Sequence, residues 1–142
     1  MFFIPLLLVT MNLWPSIQPS IERQAGMAEM SAYTGIEFPE SSYIVRYSSG
    51  WDERYLKLML DDQEITEILA SVNLDKLSGM PREIDGMNPM QVYTWWHPRS
   101  LKSYLAYEGT LQGTTNAFGK FFIVVEVAES PKKIVYIYFF KV

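Results

Sequence analysis

The sequence predicts an α+β fold: a mainly antiparallel sheet of four to six strands with one principal amphipathic helix packed on it. Strand-like runs precede one helical pattern and further strand-like runs follow it, without the strand–helix alternation of a parallel sheet. The 142 residues are 49% hydrophobic and 20% charged, which is typical of one globular domain. The last run is apolar at successive positions, so we expect it at the centre of the sheet, covered on both faces.

The first strands are predicted from alternation of side-chain type. In residues 43–47 aromatic and apolar side chains occupy the odd positions, and Ser-Ser-Gly at 48–50 favours a turn. Leu56, Leu58 and Leu60 alternate with the residues between them in the same way. We therefore expect these two runs to pair as a hairpin or as part of a meander.

A helix is predicted over about residues 62–73. Asp61 is followed three residues later by Glu64, the pattern of a capping box in which each side chain accepts a hydrogen bond from a backbone N–H. The apolar residues then follow helical spacing: Ile65, Ile68, Leu69 and Val72.

The second half of the chain begins with a predicted loop at residues 78–88, which contain two glycines and a proline. Pro98 suits the first position of a short helix, and a strand is predicted to start at residues 104–108. Residues 121–127 and 134–140 are β-branched and aromatic runs separated by a polar, proline-containing segment. These two runs predict a closing β-hairpin.

The N-terminal segment has the composition of an export signal or a membrane anchor. Residues 1–21 carry no charged side chain, and residues 2–14 are nearly all apolar but too short and too proline-interrupted for a spanning helix. We predict a signal or anchor-like segment at 1–28, with small residues at 26–28 as the cleavage site, and a single domain at 33–142. Two alternatives are a segment packed into a partner or the domain core, and a longer signal that has lost its basic end.

Composition excludes several classes of function. The net charge of −4 disfavours nucleic-acid binding, and the absence of cysteine excludes disulfides, a thiol nucleophile and zinc ribbons. The sequence has one histidine, no calcium-loop spacing, no G-x-S-x-G and no glycine-rich phosphate motif. We therefore expect no catalytic residue, no metal and no cofactor.

Aromatic density marks the candidate binding site. Phe, Trp and Tyr make up 15% of the chain, and such residues are enriched at interface hot spots. The predicted partner-binding residues are Tyr93, Trp95, Trp96, His97, Tyr104 and Tyr107. The alternative is that these rings fill the core. Trp95 and Trp96 point in different directions on a regular backbone, so one is expected to pack inward and the other to face a partner.

A second candidate surface is acidic. Between Asp52 and Asp85 there are nine acidic and four basic residues. Such a surface captures a basic partner by electrostatic steering, as an immunity protein captures a toxin. Ordinary solubility explains the same composition.

The order of these features resembles that of small bacterial exported or lipoprotein-like proteins of no established activity. The resemblance covers residues 33–142 and rests on Gly-Ile-Glu-Phe-Pro at 35–39, Gly-Trp-Asp at 50–52, the helix, Trp-Trp-x-Pro at 95–98 and the closing strand. It implies an envelope compartment and a fold style, but no catalytic residue. Because the chain has no cysteine, it departs from the lipoprotein pattern, and lipid anchoring through a lipobox is excluded.

We therefore expect a non-enzymatic protein of the periplasm or cell envelope that binds another protein, one version being an immunity-type inhibitor. Membrane association would run through residues 1–21. The alternative is a small-molecule-binding domain or weak hydrolase that uses Trp95, Trp96 and His97. A third hypothesis is that the chain is a membrane-associated subunit of a larger assembly. The alternative to the envelope location is the cytoplasm.

Overall fold

An antiparallel sheet of six strands organises the computed structural model, which describes residues 25–49, 53–85, 95–112 and 119–140. The strands are β1 (Tyr43–Ser49), β2 (Glu53–Leu60), β3 (Asp75–Lys76), β4 (Tyr104–Thr110), β5 (Lys120–Glu126) and β6 (Lys133–Phe140). Their order across the sheet is β1-β2-β6-β5-β4-β3, and every neighbouring pair is antiparallel. The predicted α+β class with an antiparallel sheet is confirmed.

The closing strand lies at the centre of the sheet, as predicted. β6 pairs with β5 in a hairpin and with β2 on its other side. Residues 135–139 are buried at five successive positions, because both faces of the sheet are covered there. The hairpin between β1 and β2 is also confirmed.

Two helices pack on the first face of the sheet: α1 (residues 25–34) and α2 (Asp62–Ala70). The predicted capping box is present, with Asp61 Oδ1 accepting from Glu64 N at 2.8 Å and Glu64 Oε1 accepting from Asp61 N at 3.1 Å. The helix ends at Ala70, three residues before the predicted end. A short helix, α3 (Arg82–Asp85), interrupts the predicted loop, and Pro98 opens a 3₁₀ turn over Pro98–Ser100.

Helix α1 packs closely on the sheet, although its first four residues, 25–28, fall within the predicted N-terminal segment. Met30 is fully buried on the sheet, and a Cβ at Gly26 would lie 2.5 Å from Cγ of Tyr47. Arg54 forms an ion pair with Glu29, whose carboxylate also accepts from the Tyr47 hydroxyl at 2.8 Å. Residues 25–34 therefore form a helix that packs on the same core as the strands. The signal or anchor-like segment was predicted for residues 1–28, and residues 1–24 of it lie outside the described residues.

The two faces of the sheet carry different cores. The first face is mainly aliphatic and lies under α1 and α2, with Leu56, Leu58 and Ile137 fully buried. The second face is aromatic. Its core contains Tyr55, Ile84, Trp96, Ala106, Phe122, Val124, Tyr136 and Tyr138. Residues from the segment 77–101 cover part of this face, so the predicted loop contributes to the core.

A β-bulge in β1 breaks the alternation that predicted this strand. Ile44 lies opposite Leu58 and Arg46 lies opposite Lys57, which leaves Val45 without a counterpart in β2. A bulge shifts the side-chain alternation by one position. Ile44 therefore packs in the first-face core, whereas Arg46 lies on the second face instead of sharing the face of Ile44.

No helix in the described part of the chain has the length and hydropathy needed to cross a bilayer.

Substitution of Gly26 tests the close packing of α1 on β1. We expect Gly26→Ala to lower the free energy of unfolding by about 1–2 kcal/mol, because the clash with Tyr47 outweighs the gain in helix propensity. Gly79→Ala is the matched control, since a Cβ there meets no atom within 4 Å. Urea denaturation of both variants measures the difference, and equal stabilities would contradict the packing of α1.

The capping carboxylate predicts a specific pH dependence. The pKa of Asp61 is lowered, mainly by the hydrogen bond from the backbone of Glu64. Its contribution to stability is thus present above the unfolded-state pKa of about 3.9 and is lost as the pH falls through the lower folded-state value. Asn keeps a capping oxygen but does not titrate. We therefore expect the melting temperature of Asp61→Asn to fall less than that of wild type when the pH is lowered from about 5 to about 2. An identical loss in both proteins would contradict this cause.

Candidate partner-binding site

Trp96 is the centre of the aromatic core on the second face. It is only 5% exposed, and its ring centroid lies 5.0 Å from those of Tyr55 and Tyr136, both in edge-to-face geometry. Such pairs add to the free energy gained by burying the rings. Its indole nitrogen is buried without a hydrogen-bond partner among the described residues. Trp96 was among the predicted partner-binding residues, with core packing as the alternative, and its side chain lies in the core.

Tyrosine hydroxyls at one end of this core are held by a carboxylate. Tyr55 and Tyr138 both donate to Glu53, the second at 3.3 Å. Burial, followed by the negative charges of Glu53 and Glu83, raises the pKa of Tyr138. The hydroxyl of Tyr138 therefore stays protonated at neutral pH and acts as a structural donor.

Trp95 lies at the border between the aromatic core and solvent. It is half-buried, and its ring centroid lies 6.0 Å from that of Trp96 in edge-to-face geometry. Its backbone oxygen accepts from Nζ of Lys57 at 3.3 Å, and the same Nζ lies 5.5 Å from the ring centroid of Tyr136. Of the two adjacent tryptophans, Trp96 packs inward and Trp95 keeps an accessible edge.

The other predicted partner-binding residues do not all lie on the same face of the sheet. Tyr104 packs against the aromatic second face, whereas Tyr107 packs against the first-face core, because the two lie three positions apart on β4. His97 is exposed, and its backbone oxygen accepts from both the N–H and the hydroxyl of Ser100. Tyr93 lies outside the described residues. The structure therefore brings Trp95, Trp96 and Tyr104 to one face and leaves Tyr107 on the other.

The exposed part of the second face includes residues that the sequence analysis did not select. Tyr43 is 55% exposed and lies opposite Met59, while exposed Arg46 lies opposite Lys57. We call Tyr43, Arg46, Lys57, Met59 and Trp95 the second-face patch. Aromatic density had selected only Trp95 among these residues, while the four residues of β1 and β2 had no signal beyond a strand-like pattern, and the bulge that brings Arg46 to this face had none.

The acidic stretch is partly neutralised by the turn between β5 and β6. Lys132 lies 3.2 Å from Glu64, and Lys133 forms an ion pair with Asp62. Glu37 and Glu67 line a cleft of about 460 Å³ near the end of α2, a helix with no basic residue in its last turn. Glu37 and Glu67 at this cleft are therefore acidic residues of the helix side that Lys132 and Lys133 do not neutralise.

The described residues contain no group of three or more histidine or carboxylate side chains placed to hold a metal ion. The fold and the site together define an α+β domain with an aromatic and basic surface patch. Comparison of the chain with protein-family models, with curated proteins and with solved structures gives no match.

The two adjacent tryptophans should differ in their effect on stability. We expect Trp96→Ala to lower the free energy of unfolding by about 3–5 kcal/mol, because it leaves a cavity between Tyr55 and Tyr136. Trp95→Ala should cost clearly less, because that side chain is only partly buried. Urea denaturation followed by circular dichroism makes the comparison, and a Trp96→Ala variant as stable as wild type would refute its place in the core.

Proposed function

We propose that this chain is a non-enzymatic protein-binding domain of the bacterial cell envelope and that it binds its partner through the second-face patch. One observation carries the proposal: the second face is open to solvent at β1, where Tyr43 is 55% exposed and Arg46 is exposed, and the partly buried Trp95 borders the same face through its contact with Lys57. Tyr, Trp, Arg and Met are enriched in protein interfaces, and the patch contains one or more of each.

Preorganisation supports the choice of Trp95 as the anchor of the interface. The contact with Trp96 and the hydrogen bond from Lys57 to the Trp95 backbone restrict this residue before any partner arrives. A restricted aromatic side chain loses little conformational entropy on binding, which favours affinity.

The envelope location is supported by the uncharged, apolar residues 1–21. Cell fractionation with N-terminal sequencing of the native protein tests it. A membrane-bound chain or a shortened product in the periplasm would agree with the proposal, whereas a full-length chain in the cytoplasm would overturn the location.

An immunity-type inhibitor remains one version of this proposal. Its basic partner would meet the cleft lined by Glu37 and Glu67, on the helix side of the sheet, and not the second-face patch. The alternative small-molecule or hydrolase site has less support, because buried Trp96 and exposed His97 have different environments.

Site-specific photo-crosslinking in living cells tests the protein-binding proposal. We place p-benzoylphenylalanine in place of Trp95, of Tyr43 or of Gln63, the last being exposed on α2 on the opposite side of the sheet. The same protein should be crosslinked from the first two positions and not from the third. The immunity-type version predicts the reverse pattern, with capture from the helix side.

Affinity measurements on the captured partner complete the test. Trp95→Ala should weaken binding by about tenfold or more, as expected for a buried aromatic anchor. Gln63→Ala is the control and should bind as wild type does. Unchanged affinity in Trp95→Ala would remove the patch from the interface.

A further inference from the structure

We infer that the partner presents an acidic segment, with at least one carboxylate, to a pair of cations formed by Arg46 and Lys57. The inference rests on the proposed function and specifies the chemistry of the partner. It begins from an arrangement of charge within the sheet that is unfavourable in the isolated protein.

Arg46 and Lys57 are directly opposite each other across β1 and β2. Residues paired in this way project from the same face of the sheet, at Cβ separations of about 4.5–5.5 Å. The bulge at Val45 creates this arrangement, since regular alternation would have turned Arg46 to the face of Ile44. Bulges often re-aim a side chain at a functional site.

Like charges in opposed positions destabilise an antiparallel pair. Among the described residues, neither Arg46 nor Lys57 has a carboxylate oxygen within 4.0 Å of its side-chain nitrogens. Glu126, on the same face, instead accepts from the backbone of Ile134 at 3.2 Å. The other lysines at this end of the sheet, Lys132 and Lys133, both have acidic partners.

The cations retain donors for a ligand. Lys57 Nζ uses one donor on the oxygen of Trp95, which leaves two, and the exposed Arg46 guanidinium has five. A carboxylate accepts from both groups at once, and the ring of Tyr136, 5.5 Å from Lys57 Nζ, reduces the access of water to the contact. Reduced hydration strengthens such a charge-assisted bond.

The charge of the whole chain favours an acidic protein segment over a nucleic acid. Nucleic-acid affinity at physiological salt depends on many phosphate contacts, whereas the patch has two cations on a chain of net charge −4. The net negative charge of the chain repels a long polyanion more strongly than two cation contacts attract it. A short acidic segment on a protein experiences less repulsion and can contact both Arg46 and Lys57.

The first experiment uses hexaglutamate peptide as the probe and the full-length chain as the protein. NMR titration at low salt should shift the amide signals of β1, of β2 and of Trp95. The Arg46→Gln/Lys57→Gln double variant should bind about tenfold more weakly. The control, Lys76→Gln/Lys102→Gln, removes the same charge from two exposed positions outside the patch and should bind as wild type does.

Several outcomes would overturn the inference. The protein would then fail to bind hexaglutamate, or the control variant would bind it as weakly as the Arg46→Gln/Lys57→Gln variant does. The NMR shifts would be confined to other surfaces, or the protein would bind duplex DNA or phosphatidylserine vesicles more tightly than the peptide. Binding that persists unchanged at about 0.5 M salt would also count against it, since exposed charge pairs are screened there.

A double-mutant cycle on the unbound protein tests the repulsion itself. The free energy of unfolding of Arg46→Gln, of Lys57→Gln and of the double variant is measured by urea denaturation. We expect the interaction energy between the two side chains to be unfavourable in wild type. A favourable or zero coupling would refute the unfavourable pairing on which the inference depends.

Failure of the inference can be told apart from failure of the proposed function. If the protein crosslinked at Trp95 binds the Arg46→Gln/Lys57→Gln variant as tightly as wild type, the acidic segment is refuted and protein binding through the patch stands. If Trp95→Ala also leaves that affinity unchanged, the patch itself is refuted.

Discussion

The pairing of β6 with both β2 and β5 is the constraint on which the rest of the structure depends. It joins the two hairpins into one sheet and buries residues 135–139 on both faces. Each face must then be covered by a different part of the chain. Helices α1 and α2 cover the aliphatic face, and residues of the segment 77–101 cover part of the aromatic one. The exposed remainder of that second face forms the candidate site.

Local sequence patterns predicted the elements whose burial is regular. The alternation in β2, the capping box of α2 and the apolar run of β6 each depend on neighbouring residues, so the sequence was sufficient. Three features depend on distant contacts. The sequence did not predict helix α1, which fits Gly26 against Tyr47, or the bulge that turns Arg46 to the second face. The sequence predicted that one tryptophan of the pair packs inward, but the rings on β2 and β6 decide that it is Trp96.

The candidate site was predicted only in part for the same reason. Aromatic density located Trp95, but it could not separate Trp95 from Trp96, because the direction of each ring follows from how the covering segment lies on the sheet. It also placed Tyr104 and Tyr107 in one surface, although three positions along a strand put them on opposite faces. The cations of the site come from β1 and β2, far from the aromatic segment in the chain.

The central position of β6 also has a consequence for the rate of folding. Glu53 of β2 pairs with Phe140 of β6, and Leu60 pairs with Lys133, so the chain between the two strands, which contains α2, β3, β4 and β5, forms one long loop. The entropic cost of closing this loop is met before the pairing contributes free energy. The pairing that joins the two hairpins therefore has a high contact order, and we expect the domain to fold slowly compared with helical domains.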